Sequence, residues 1–183
     1  MNKLQKKILT ILIQYIKPSD TILEFGSGSG HLSCALLEKG YSVSLLDLRE
    51  EAITGSMRLI SSIGLQTNFY VGSLFQHDKK YHGIFNTGCI QCFPATSKGI
   101  TKEDVIDRCA HLADYIIFFW PLKNYNQRDI GDSSIPGYKQ AKEYEMTQEI
   151  FMSITKHAFP SMCECGKIKT NLNYDFEWGY ASK

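Results

Sequence analysis

The feature that most constrains the fold is a regular alternation of short apolar segments with amphipathic helical ones. Apolar segments that predict strands cover 22–25, 42–47, 67–71, 82–86 and 115–120, and helical spacing covers 4–15, 31–39, 50–63, 102–113 and 147–159. Strands that alternate with helices form a parallel sheet with helices on both faces. Segments 162–170 and 174–181 then predict an antiparallel hairpin. We expect one α/β domain over residues 1–183, a doubly wound, mostly parallel seven-stranded sheet ending in that hairpin.

Composition and charge narrow the class of protein. The chain has 183 residues, a formal net charge of +1 and 43% hydrophobic residues, which fits one globular core. A net charge so near zero gives no field that favours nucleic acid or an acidic membrane surface. The N-terminal residues, predicted as a helix within 1–18, lack the pattern of a secretory signal, and nothing approaches the ~18 apolar residues of a membrane span. We expect a soluble, cytoplasmic protein whose cysteines are thiols.

The stretch TILEFGSGSGHLS places three glycines, Gly26, Gly28 and Gly30, between the first predicted strand and the helix that follows it. In a parallel sheet, ligands bind beyond the carboxyl ends of the strands, which is where this loop lies. Glycine lets the backbone turn tightly and lets a ligand approach without meeting a Cβ. Asp47 ends the next strand, about twenty residues on, where a carboxylate can accept both ribose hydroxyls of an adenosine. Loop and carboxylate together indicate an adenosine-containing cofactor.

Spacing and charge distinguish between two such cofactors. A nicotinamide dinucleotide is typically bound by G-x-G-x-x-G, whereas this loop is G-x-G-x-G and has His31 at the next position. Glu24, just before the loop, would repel a pyrophosphate. S-adenosylmethionine carries a positive sulfonium and a positive ammonium, which a nearby carboxylate attracts. The residues therefore favour S-adenosylmethionine.

The stretch ILEFGSGSGHLSCALLEKGYSVSLLDL resembles the first two motifs of class I S-adenosylmethionine-dependent methyltransferases, and FYVGSLF and YHGIFNTGCIQCF stand where the third and fourth motifs lie. The resemblance implies a methyltransferase with S-adenosylhomocysteine as product. Asp47 would hold the ribose, and Leu48 would pack on the adenine. The residues implied to contact the cofactor are Glu24, Phe25, Gly26, Ser27, Gly28, Gly30, Asp47, Leu48, Ser73, Leu74, Asn86 and Thr87.

Three positions depart from the family pattern. The family usually has an acidic residue where this chain has Ser73, an aspartate at His82, and in many small-molecule members a Glu-His pair at Gln91–Cys92. Candidates for the acceptor side are Tyr15, His31, Gln91, Cys92 and Tyr125. Tyr15 and His31 also fit a core tyrosine and an exposed histidine, and Tyr125 belongs to 121–145, which predicts either a lid or a surface loop. No catalytic residue is assigned, because transfer from a sulfonium chiefly requires alignment of the reacting atoms.

Two cysteine pairs have a spacing that is compatible with a zinc site. Four thiolates can bind zinc, and the chain has Cys89-x-x-Cys92 and Cys163-x-Cys165. The first pair follows the fourth predicted strand and the second lies in the hairpin, so core thiols are favoured and no metal is predicted.

Several functions stay open. We expect methyl transfer to an oxygen or nitrogen of a small molecule. The alternatives are an RNA or protein methyltransferase with an open cleft and a non-catalytic cofactor-binding subunit. A nicotinamide-dependent oxidoreductase is disfavoured by the loop spacing. The residues after the fourth strand are Asn-Thr-Gly-Cys rather than the Asp/Asn-Pro-Pro-Tyr of enzymes that methylate a flipped base, which disfavours nucleic acid.

Overall fold

The computed structural model of the chain describes residues 1–89, 99–121, 146–170 and 175–183. Gln91, Cys92, Tyr125, residues 122–145 of the predicted lid and the predicted hairpin turn lie outside them. The strands are β1 Thr21–Phe25, β2 Ser42–Asp47, β3 Phe69–Val71, β4 Gly83–Thr87, β5 Tyr115–Pro121, β6 Met162–Ile168 and β7 Phe176–Ser182. The helices are α1 Lys3–Tyr15, α2 His31–Glu38, α3 Glu50–Ser62, α4 Lys102–Leu112 and α5 Gln148–Thr155, with a 3₁₀ turn at Leu74–Gln76.

The seven strands form one sheet in the order β3-β2-β1-β4-β5-β7-β6. The pairs among β1 to β5 are parallel, while β7 is antiparallel to both β5 and β6. The predicted fold is confirmed. Because parallel strands all end at the same edge of a sheet, the loops that follow β1, β2 and β4 meet there.

Helices cover the sheet on both faces. Leu12 of α1 and Leu36 of α2 are fully buried in one apolar cluster, together with side chains of β1, β4 and β5. Ile106 of α4 and Phe151 of α5 are fully buried in the cluster on the opposite face. Residues 116–120 of β5 alternate between the two clusters and are all buried, as expected for a central strand of a parallel sheet. Each large apolar side chain buried in this way contributes about 1.5–3 kcal/mol to stability.

Several elements are shorter than the sequence predicts, among them β3, β6 and α5. β3 begins at Phe69 rather than residue 67, and the Thr67 hydroxyl bonds the Val43 carbonyl. α5 ends at Thr155 rather than near residue 159, where the Thr155 hydroxyl donates to the Phe151 carbonyl at 2.7 Å. Hydroxyls that bond nearby backbone groups compete with regular secondary structure. Within the described part of the chain, we find no helix with the length and apolar character needed to cross a membrane.

Candidate functional site

The backbone conformation and packing of the loop after β1 show what its three glycines do. All three have positive φ: 63° at Gly26, 52° at Gly28 and 68° at Gly30, a region that side chains other than hydrogen disfavour. A Cβ at Gly26 would lie 2.6 Å from the Cys89 sulfur, and one at Gly30 would lie 2.7 Å from the Ser56 hydroxyl. At Gly28 a Cβ would meet no described atom within 4 Å. Protein packing thus explains Gly26 and Gly30, and Gly28 is the position with room for a ligand.

Both peptide groups at Gly28 are fixed by side chains from other elements. Its N–H donates to Asp47 Oδ2 at 2.9 Å, and its carbonyl accepts from the Ser56 hydroxyl at 2.9 Å. The other carboxylate oxygen of Asp47 accepts the Arg49 N–H at 3.0 Å. Asp47 therefore braces the glycine loop, a role that the sequence did not reveal. Each carboxylate oxygen has a second lone pair. Asp47 can therefore still accept hydrogen bonds from a ribose, as predicted.

Glu24 lies in β1 one residue before Phe25, and its carboxyl is buried. It accepts a hydrogen bond from the Ser33 hydroxyl of α2. Burial raises the pKa of Glu24 from 4.5 to about 8, and the negative charge of Asp47 adds to the rise, while hydrogen bonds from Ser33 oppose it. The sequence predicts a fixed negative charge at Glu24. The structure corrects this, because the neutral form of a carboxyl with this pKa predominates near pH 7.

A second bridge joins β1 to the segment after β4. The Asn86 side chain is fully buried, donates to the Phe25 carbonyl at 2.7 Å and accepts the Cys89 N–H at 3.0 Å. This bridge sets the position of Cys89 against Gly26. Nearby, the Ser27 hydroxyl is buried and has no hydrogen-bond partner among the described residues. A buried hydroxyl without a protein partner is uncommon in proteins, and an ordered water is one partner that satisfies such groups.

Exposed apolar side chains stand beside the loop at the carboxyl ends of β2 and β3. Leu48 and Val71 are each 54% exposed, and Val71 is in register with Asp47. Sequence reasoning named Leu48 and missed Val71, although a valine at a predicted strand end could have suggested it. Both are exposed apolar side chains at this edge of the sheet.

Other residues predicted to bind the cofactor have different roles for their side chains. Phe25 and Leu74 belong to the apolar core and are 1% and 3% exposed, so their side chains serve packing. The Ser73 hydroxyl accepts the Phe75 N–H at 3.2 Å and caps the 3₁₀ turn.

Sequence reasoning also missed Arg108 of α4, which donates to the Leu74 carbonyl at 3.1 Å.

Comparison with known proteins identifies the fold. No protein-family model matches the chain. A curated Xenopus laevis protein, named glutathione S-transferase C-terminal domain-containing protein, is 26% identical over 104 residues, which are 56% of this chain and 16% of that protein. This chain therefore spans a small part of that relative's length.

Solved structures match nearly the whole chain. Magnesium protoporphyrin IX methyltransferase from Synechocystis PCC 6803 with bound S-adenosylhomocysteine has a TM-score of 0.76 at 18% identity, covering 99% of this chain and 82% of that one. The N-terminal domain of EvdMO1 with S-adenosylhomocysteine bound has a TM-score of 0.69 at 12% identity, covering 100% and 82%. The chain has the methyltransferase fold. The resemblance inferred from the sequence is thus confirmed at the level of the fold.

Within the methyltransferase fold, two of the acceptor-side candidates, His31 and Tyr15, lie in different places. His31 is exposed at the start of α2, and its Nδ1 lies 2.6 Å from the Ser29 hydroxyl of the glycine loop. Tyr15 instead stacks on Tyr180 of β7, with ring centroids 4.5 Å apart, and donates to Glu164 of β6 at 2.5 Å. Since β7 is three strands from β1, about 14 Å at the usual strand spacing, the structure does not bring Tyr15 to the loop.

Cys89 of the first cysteine pair lies apart from the second pair. Cys89 follows β4, and Cys163 and Cys165 lie in β6, three strands away in the sheet order, or about 14 Å. Burial is the main cause that raises the pKa of Cys165 to about 12, which disfavours the thiolate that zinc requires. Among the described residues, no group of three side chains is arranged to hold a metal ion.

Proposed function

We propose that the chain is an S-adenosylmethionine-dependent methyltransferase that acts on an oxygen or nitrogen of a small-molecule acceptor. The observation that carries the proposal is the glycine loop: Gly28 has no neighbour where its Cβ would be, and Asp47 and Ser56 fix its two peptide groups. Solved proteins of this fold bind S-adenosylmethionine or S-adenosylhomocysteine. The proposal assigns the same cofactor to this loop.

The residues present fit this cofactor. Gly28 would lie against its methionine part, in a loop whose packing requires Gly26 and Gly30, and Asp47 would accept from the ribose. The exposed Leu48 and Val71 would pack on the adenine. Glu24 pairs with no cation among the described residues, so the positive charges of the cofactor would supply the missing partner for its ionised form. A nicotinamide dinucleotide would place its negative pyrophosphate, the group that such a glycine loop binds, near this carboxyl.

The bound cofactor supplies an activated methyl group. The chain's residues therefore have to hold the methyl donor and align the acceptor with it. The stiff loop would fix the methyl donor against the segment after β4, where Thr87 ends the strand. Exclusion of water and alignment of an acceptor in line with the methyl group can account for much of the rate, up to ~7–11 kcal/mol in intramolecular reactions. The name of the Synechocystis neighbour describes a small-molecule acceptor, and a net charge of +1 gives no strong overall field that favours nucleic acid. We place the protein in the cytoplasm, in keeping with its predicted thiols.

Thermal unfolding with four ligands tests the cofactor. A ligand that binds only the folded state adds about 2.7 kcal/mol at a hundredfold excess over its Kd. We expect S-adenosylmethionine and S-adenosylhomocysteine to raise the Tm, and NAD and NADP to leave it unchanged. A rise with NAD alone would overturn the proposal.

Transfer of a labelled methyl group tests the acceptor. The protein is incubated with labelled S-adenosylmethionine and a cell extract, and label is measured in small metabolites, RNA and protein. We expect label in a small metabolite. Label in RNA or protein would refute the small-molecule acceptor, and binding without any transfer would indicate a non-catalytic subunit.

A further inference from the structure

Ser56 of α3 is fully buried although it is polar. The apolar spacing of α3 suggests that Ile53, Met57 and Ile60 face the core, but Met57 is 45% exposed and Ser56 takes the inward position. The Ser56 hydroxyl donates to the carbonyl of Gly28, 28 residues earlier in the chain, at 2.9 Å. A buried hydroxyl that bonds a loop carbonyl from another element is a specific contact, because loss of either partner leaves a buried polar group unpaired.

Gly30 is the residue that allows this contact. A Cβ at Gly30 would lie 2.7 Å from the Ser56 hydroxyl, 2.8 Å from the Ser56 Cβ and 3.0 Å from Leu45. Any side chain there would push α3 away from the loop. The third glycine of the motif is therefore required by the approach of Ser56.

Asp47 and Ser56 act on opposite sides of the same residue. Asp47 holds the Gly28 N–H at 2.9 Å, and Ser56 holds the Gly28 carbonyl at 2.9 Å. Gly28 has a φ of 52° and, as glycine, a wide choice of other conformations. A loop already ordered before its ligand arrives avoids the ordering cost at binding.

We infer that Ser56 is a positioning residue that sets the Gly28 peptide for the methyl donor. The inference rests on the proposed function, since it concerns the same loop. Ser56 does not have to touch the donor, because it acts through the Gly28 carbonyl. Its removal should therefore weaken binding of the whole cofactor.

The test is the Kd of S-adenosylmethionine, measured by calorimetry well below the Tm, for wild type and Ser56→Ala. Alanine is smaller than serine and a better helix former, so the variant is expected to fold. We expect the Kd to rise about fivefold, the equivalent of one typical hydrogen bond. The matched control is Thr155→Val, which removes another buried hydroxyl, bonded to the Phe151 carbonyl at 2.7 Å in α5. It should lower the Tm and leave the Kd unchanged.

The outcomes separate the two claims. Wild type that fails to bind S-adenosylmethionine overturns the proposed function and the inference with it. Wild-type binding together with an unchanged Kd for Ser56→Ala overturns the inference alone and leaves Ser56 a merely structural residue. Ser56→Cys, whose thiol is a weaker donor, should give an intermediate Kd. Should Ser56→Ala fail to fold, a wild-type Kd for Ser56→Cys would overturn the inference.

Discussion

Binding of the methyl donor should release a proton from Glu24. The buried carboxyl has a pKa of about 8 in the ligand-free protein, and a bound cation would favour its ionised form. When only the ionised form binds, the apparent Kd rises about tenfold for each pH unit below the pKa of Glu24. The Kd for S-adenosylmethionine should therefore fall roughly tenfold between pH 6 and pH 7 and level off above pH 8.

The affinity for the methyl donor should rise with pH, whereas the stability of the ligand-free protein should fall with pH. The folded-state pKa of Glu24, about 8, lies above the value of 4.5 for a free carboxyl. Between these values the folded state binds more protons than the unfolded chain, so the free energy of unfolding falls as the pH rises through this window. Across the whole window, ionisation of Glu24 should lower the free energy of unfolding by on the order of 4–5 kcal/mol.

Glu24→Gln isolates the effect, because glutamine keeps an acceptor for Ser33 and cannot ionise. Calorimetry at pH 6, 7 and 8 gives the Kd, and urea unfolding at the same pH values gives the stability. The variant should lose the tenfold step in Kd and the slope in stability, and its affinity for S-adenosylmethionine should drop more than that for S-adenosylhomocysteine, which lacks the sulfonium charge. The reasoning is refuted if wild type and Glu24→Gln show the same pH dependence in both measurements.

Three further substitutions and one control substitution test the rest of the structure. Asp47→Ala should weaken S-adenosylmethionine binding by at least ~1.5 kcal/mol, the lower range for a charged hydrogen bond; an unchanged Kd by calorimetry would contradict its role. Gly28→Ala and Gly64→Ala both place a Cβ at positive φ with no described atom within 4 Å, so both should cost about 1 kcal/mol in urea unfolding, and only Gly28→Ala should lose cofactor affinity. Arg108→Met removes donors from the Leu74 carbonyl and from the His77 carbonyl at 2.6 Å. It should lower stability by ~1–3 kcal/mol in the same assay, and wild-type stability would show that these bonds contribute nothing.

The order of residues along the chain was sufficient to predict the sheet and the place of the loop. Apolar periodicity is a local property, and a loop that directly follows β1 in a parallel sheet must lie at its carboxyl edge. Gly28 and Asp47 could be assigned to that edge for the same reason. Tyr15 could not be placed in this way, because the strand over which its helix packs depends on contacts with β6 and β7, far along the chain.

The sequence by itself determined that three glycines and two carboxylates meet at one edge of a sheet, since strand order and element ends bring them there. Only the tertiary structure decided what each of them does. The close approach of α3 explains Gly30 through Ser56, a contact across 26 residues that no local pattern encodes. Likewise the protonation of Glu24 depends on how completely other elements bury it. Burial and the distance between remote side chains are properties of the packed molecule, and they set the charge and stiffness of this loop.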